Sequence, residues 1–269
     1  TPTKNLQFLS FYASVLRAVH KHHYLLMTSV ATLSNSYRLG GGEAPPAVMS
    51  VFSGSTLYSV FQSIMDMEDV KESSSDLEKI RIVNSIPDIF PDNTDRNRTS
   101  PFAFTGNRFE FRAVGSSQNV ASAVYVVNSV VAEALNEFRA AVDQLEEAGE
   151  DRPTAVMSVV RRFITEAKDI MFEGNGYSKE WEEEAQRRGL KVVRNVPEAY
   201  EVYHEKQTVD LFSRLGVLAP NEVEARFEIL NETYVKKLQI EARVMGDMCL
   251  NHVIPAAVRY QNVLIENIK

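Results

Sequence analysis

The sequence predicts an α+β fold built from two unlike parts. Residues 1–117 mix loops, short helical patterns and one strand, and residues 118–269 are nearly all helical. Three observations carry this reading. Arg108 to Val114 alternates apolar and charged side chains with period two, the mark of a strand with one buried face. From Gln118 the period changes: Val120, Val124, Val127, Val131, Leu135 and Phe138 fall on one face of a long helix. Before that switch, Asn35–Pro46 and Pro87–Ser100 are too rich in Gly, Pro, Asp and Asn for regular structure.

The elements follow in chain order. Leu6, Leu9, Ala13, Leu16 and His20 recur at helical spacing, predicting a helix from about Asn5 to Met27. Three glycines followed by two prolines make 38–46 a loop. Two short helical patterns lie between about Thr56 and Val83, around a polar stretch at Lys71–Asp76. The long helix after Gln118 ends before Gly149 and Pro153, and a second helix runs to about Met171. Ser178 to Arg188 reads as a charged helix with Gly189 past its C-terminus. Pro197 and Pro220 suit early positions of further helices. The last pattern runs from about Glu222 to the end, with Pro255 kinking or interrupting it.

Bulk properties exclude several function classes. The formal net charge of −7 argues against nucleic acid held by a broadly basic surface. The chain has no apolar run of membrane-spanning length. A single cysteine, Cys249, allows no internal disulfide and suits a reducing, cytoplasmic setting. The opening Thr1-Pro2-Thr3-Lys4 leads almost at once into an amphipathic segment and is read as a cut inside a longer protein.

Three short segments are candidates for chemistry. On the strand, Phe109 and Phe111 share the face expected to meet the core, and Arg108, Glu110 and Arg112 share the other. That second face is either a solvated row of alternating charges or a site for anions and a metal. A guanidinium fork matches carboxylate and phosphate, and a carboxylate between two such groups can ligate Mg²⁺ held against a phosphate. In the loop RLGGGEAPP, Glu43 stands between flexible glycines and stiff prolines, as in an ordinary surface turn or in a lid carrying a catalytic carboxylate. In Asp95–Ser100, Arg96 and Arg98 are solvated or reach phosphate oxygens. His20, His22 and His23 cluster on the first helix, but only His20 and His23 share a face, and a metal site needs further fixed ligands.

The order of these segments resembles one family. NSYRLGGGEAPP, then DRNRTSPFAF, then NRFEFR before a small-residue segment and a long helix is similar to the glutamine synthetases. FTGN before the strand, AVGSSQN after it and FEGNGYSKEW at 172–181 look closest to the type III branch. The resemblance covers essentially the whole chain. It implies that residues 1–117 are the C-terminal part of a catalytic domain with a mainly antiparallel sheet and helices. Within them lie a flap at 38–46 and an insertion at 47–94, and residues 118–269 form a helical C-terminal region.

Carried over position by position, Arg38 resembles the arginine that binds substrate glutamate, and Glu43 the flap glutamate that takes a proton from bound ammonium. Arg98 resembles an arginine facing the transferred phosphate, and Arg108 one at the nucleotide phosphates. Glu110 resembles a metal-ligating glutamate. Arg112 resembles the arginine that holds glutamate's carboxylate or the acyl phosphate. The chain departs from the better-known branch at Ala103 and near Thr105, where an arginine and a lysine of that branch would fall. The resemblance implies ATP-dependent ligation of ammonia to glutamate with Mg²⁺ or Mn²⁺, in a homo-oligomer. Further metal ligands lie upstream of the first helix in that family, so a fragment of this extent is expected to be inactive alone. The competing expectation is a helical oligomerisation or interaction domain without catalysis, which would have no use for Glu43 on its triple-glycine loop.

Overall fold

The computed structural model describes residues 6–36, 47–66, 99–115 and 118–268. Arg38, Glu43 and Arg98, with the flap and most of the insertion, lie outside them.

The N-terminal helix α1 (Leu6–Lys21) buries Leu9, Ala13 and Leu16 of the predicted face together with Tyr12, and leaves Leu6 and His20 half-buried. It does not continue to Met27. His22 leaves helical geometry at φ −118°, ψ 25°, and α2 (His23–Val30) starts afresh. After α3 (Leu33–Ser36) come the short strand β1 (Val51–Phe52) and α4 (Ser55–Met65).

Two more strands complete a three-stranded sheet: β2 (Phe102–Phe104) and β3 (Phe109–Phe111). The α+β class holds, and the sheet is mixed. β1 runs parallel to β2, with Val51 opposite Phe102, and β2 runs antiparallel to β3, with Ala103 opposite Glu110. Gly106, at φ +94°, and Asn107 make the tight connection between β2 and β3, closed by the Thr105 amide on the Arg108 carbonyl at 2.9 Å. The strand expected to reach Val114 stops at Phe111. The Arg112 amide still donates to the Pro101 carbonyl at 2.7 Å, but Pro101 has no N–H to return, so the ladder ends there.

The helical region begins with α5 (Ala121–Glu147). Its existence matches the periodicity, and Phe138 is buried as expected, but the centre of the buried face is shifted. Val120 and Val124 are 57% and 51% exposed, and the stripe in the core is Ala123, Val126, Val130, Glu133, Ala134, Phe138 and Ala141. At 3.6 residues per turn that face is rotated by about a quarter turn. The rotation brings Glu133 inside, where hydrogen-bonding partners receive it. Lys21 Nζ (3.0 Å) and His22 Nε2 (2.6 Å) meet Glu133 Oε2, and Arg214 bonds Oε1.

Helix α6 (Arg152–Glu166) packs on α1. Asp151 caps it by accepting from the Thr154 amide at 3.3 Å, with Pro153 in the first turn. α7 (Lys179–Arg187) is capped by Ser178, which accepts from the Trp181 amide at 3.1 Å, and Gly189 follows it at φ +82°. α8 (Val196–Tyr200) and α9 (Lys206–Arg214) lead to α10 (Pro220–Met248), and Pro197 and Pro220 occupy the expected first-turn positions. Pro255 does not stop the last helix. A π-turn at Cys249–Val253 precedes it and α11 (Ile254–Ile268) continues. The wider turn is the physical answer to a ring that lacks an N–H and crowds the carbonyl four residues back. From Val235 onward α10 and α11 are almost wholly exposed, with Val244, Met248, Ile254, Val258 and Ile265 on the surface.

Candidate active-site face

The candidate site is the polar side of β3. Its apolar side is fixed first. The Phe109 ring sits 4.8 Å from Tyr12 and 5.2 Å from Phe104, and Phe111 lies 5.8 Å from Phe102. These rings hold the strand on the core, as the alternation predicts, and so commit Arg108, Glu110 and Arg112 to the opposite side.

There the three side chains form one ionic row. Glu110 Oε2 accepts from Arg112 Nε at 3.0 Å and lies 2.9 Å from Arg112 Nη2, a forked contact. Glu110 Oε1 accepts from Arg108 Nε at 3.2 Å and from the Thr105 hydroxyl at 3.3 Å. The Arg112 bond above all holds the Glu110 carboxyl below its ordinary range; desolvation opposes it, and the Arg108 and Thr105 bonds add to the lowering. The row is graded in exposure: the Arg112 side chain is 17% exposed, Glu110 31% and Arg108 72%. Arg112 is therefore the fixed end, and Arg108 is the end that a ligand arriving from solvent meets first.

Sequence reasoning did not assign Thr105 to this row. The signal was available in the hairpin: a two-residue turn puts Thr105 opposite Arg108, beside the Glu110 carboxylate. The histidine cluster has protein partners. His22 binds Glu133; His23 Nδ1 donates to the His20 carbonyl at 2.7 Å, and its Nε2 accepts from the Lys191 amide at 2.9 Å. Burial first of all lowers the pKa of both His20 and His23.

A hard divalent cation takes oxygen ligands, and Glu110 offers an ionised carboxylate of that kind. Among the described residues no three His, Cys, Asp or Glu side chains are grouped so as to hold a metal ion. Glu110 is one such oxygen donor, already bonded to Arg108, Arg112 and Thr105. No helix among the described residues is long and apolar enough to cross a membrane.

Comparison with known proteins agrees along the whole chain. Residues 155–269 match the family model described as the glutamine synthetase C-terminal domain. The chain is 44% identical over 269 residues to a glutamine synthetase of Bacteroides fragilis (strain YCH46), covering 99% of this chain and 37% of that relative. It is 40% identical over 268 residues to a type-3 glutamine synthetase of Dictyostelium discoideum, covering 100% of this chain and 36% of the relative. A glutamine synthetase of Butyrivibrio fibrisolvens is 35% identical over 271 residues, with 99% and 37% covered. The chain thus spans little more than a third of the length of these curated relatives. The chain therefore belongs to the glutamine synthetase family.

Proposed function

We propose that this chain contributes the C-terminal part of the active site of a glutamate–ammonia ligase that forms glutamine at the expense of ATP. The observation that supports it is the ionic row on β3, in which one carboxylate is held ionised between two guanidinium groups. Two anions must be brought together in such a reaction, and arginines are suited to hold them. In the first step the γ-carboxylate of glutamate attacks the terminal phosphorus of ATP. A γ-glutamyl phosphate forms and ADP leaves. In the second, ammonia attacks the acyl carbon and phosphate leaves.

Arg112 holds the glutamate carboxylate or the acyl phosphate, and its low exposure gives it a fixed position. Arg108, the exposed end of the row, meets the nucleotide phosphates. Arg38 binds substrate glutamate, Arg98 faces the transferred phosphate, and Glu43 takes the proton released when ammonium becomes ammonia. Glu110 is one ligand of a divalent ion, Mg²⁺ or Mn²⁺, which would neutralise charge on the phosphoryl group. The protein works in the cytoplasm as a homo-oligomer, and the exposed apolar residues of α10 and α11 support such assembly. The chain spans little more than a third of its relatives' length, and residues 1–269 alone are expected to make no glutamine.

Measuring phosphate and glutamine in parallel tests this, with the full-length protein and with residues 1–269. Equimolar products from the first and none from the second are expected. The second reading, a non-catalytic interaction domain, is favoured only by the apolar exposure of α10 and α11. It would be adopted if Glu110→Ala left full-length turnover near normal.

A further inference from the structure

Residues 172–181 belong to the helical half of the chain yet bond to the sheet. Met171 makes a parallel bridge with Val51, and the Phe172 amide donates to the Val51 carbonyl at 3.1 Å, so the segment adds itself to the side of β1 away from β2. Glu173 then grips the end of that strand with both oxygens. Oε1 accepts from the Ser53 amide and Oε2 from the Gly54 amide, each at 2.9 Å, where β1 gives way to α4. Three residues on, the Gly176 amide donates to the Thr99 carbonyl at 2.8 Å.

That contact has no room for a side chain. A Cβ at Gly176 would lie 2.9 Å from both Ser50 Oγ and the Thr99 carbonyl oxygen, and 3.6 Å from Pro101 Cδ. The Pro101 carbonyl accepts the Arg112 amide at 2.7 Å. Between them, the Ser100 hydroxyl is within bonding distance of the Phe102 carbonyl at 2.9 Å and the Ser50 carbonyl at 3.3 Å. The strap itself is fixed from behind. The Phe172 ring stacks on Trp181 at 4.1 Å, and Arg188 donates to the carbonyls of Met171 (3.1 Å) and Asp169 (3.3 Å).

We propose that Glu173 and Gly176 are positioning residues of the candidate site: this strap holds β1 and the Thr99–Pro101 stretch at the distance that places Arg112. Neither residue touches substrate. Both act through backbone, Glu173 on the strand and Gly176 on the stretch that receives the Arg112 amide. The helical region therefore does more than follow the catalytic half; it sets the geometry of one of its arginines. The inference rests on the functional reading above, and its test separates the two.

The full-length protein is compared with Gly176→Ala, Glu173→Gln and the double variant Ser50→Ala/Gly176→Ala. Gly246→Ala, where a Cβ meets nothing within 4 Å, serves as the control. Gly176→Ala is expected to lower kcat about tenfold and raise KM for glutamate several-fold, leaving KM for ammonium unchanged. Glu173→Gln is expected to shift the same parameters in the same direction by less. Removing Ser50 Oγ relieves one of the two close contacts and restores part of the loss. Hydrogen exchange gives a second readout that needs no activity. The Arg112 amide should exchange about tenfold faster in Gly176→Ala, with Val130 in α5 unchanged. If wild type makes glutamine and both single variants keep kcat and glutamate KM within about twofold, the positioning role is wrong. If wild type makes no glutamine, the functional reading fails. The Arg112 exchange rate then decides the positioning claim, and an unchanged rate overturns it.

Discussion

His22 Nε2 lies 2.6 Å from Oε2 of Glu133, a carboxylate 111 residues further along the chain and almost wholly buried. Lys21 shares that oxygen and Arg214 takes the other, so a single carboxylate ties the α1–α2 junction and α9 to α5. Burial by itself raises the Glu133 pKa, but the bonds from His22 and Lys21 outweigh it and bring it down to about 2.

The sign of the pH effect follows. A carboxyl that titrates at about 2 when folded and 4.5 when unfolded stabilises the fold fully above pH 4.5. That contribution is lost as pH falls from 4.5 towards 2. With Arg214 largely exposed the contribution is discounted to on the order of 2 kcal/mol. Glu133→Gln removes the charge that Lys21, His22 and Arg214 share, while Lys21 keeps Glu137, and should cost about 2 kcal/mol at pH 7. Urea denaturation between pH 2 and 7 checks both. Wild type and variant should converge at the acid end, and parallel curves at all pH values would refute the assignment.

Glu110→Ala in the full-length protein should weaken Mg²⁺ or Mn²⁺ binding at least tenfold and abolish glutamine synthesis. Its stability cost should stay within about 1 kcal/mol, because the lost pairs are at a surface. The variant leaves Arg108 and Arg112 facing each other without a counter-charge, so the change should be destabilising. Isothermal titration with metal, alongside thermal unfolding, measures the two effects separately.

Glu43→Gln keeps the shape of the carboxylate and removes the base. In the full-length protein it should slow the ammonia-dependent step by about a hundredfold and phosphorylation by less. The acyl phosphate then leaks, by hydrolysis or cyclisation, and phosphate appears without matching glutamine. Equal and near-normal yields of both products would mean that Glu43 is an ordinary turn residue.

Pro255→Ala should close the π-turn. With an N–H restored at that position and the ring removed, regular pairing can run from α10 into α11. Carbon chemical shifts or a crystal structure over residues 249–255 would report it. Persistence of the wide turn in the variant would show that something other than the proline causes it.

The class, the main helices and the polar face of β3 were legible because each rests on local periodicity. The Phe109/Phe111 alternation needs only neighbouring residues. Features that depend on distant partners were not legible. The valines at 120 and 124 make a plausible stripe, but the core took the face bearing Glu133, whose partners Lys21, His22 and Arg214 lie far off in sequence. The break at His22 is invisible to helical spacing for the same reason. Pro255 signalled an irregularity correctly, and its form depended on whether the chain bent or widened its turn. FEGNGYSKEW carried the family resemblance, yet nothing in its composition shows that Glu173 and Gly176 reach Ser53, Gly54 and Thr99.

The stack of Trp181 on Phe172 also makes the molecule its own instrument. Trp181 is the chain's single tryptophan, 1% exposed, with the Arg188 guanidinium 5.2 Å from its ring centre. Intrinsic indole emission from this polypeptide therefore comes from one place, the anchor of the strap. It should be blue-shifted while the anchor is dry and move to the red once water reaches the ring. Detachment of the strap from the sheet can thus be followed optically, without a label, and compared with the loss of helical ellipticity. If the fluorescence change precedes the loss of ellipticity, the strap opens before the helices melt.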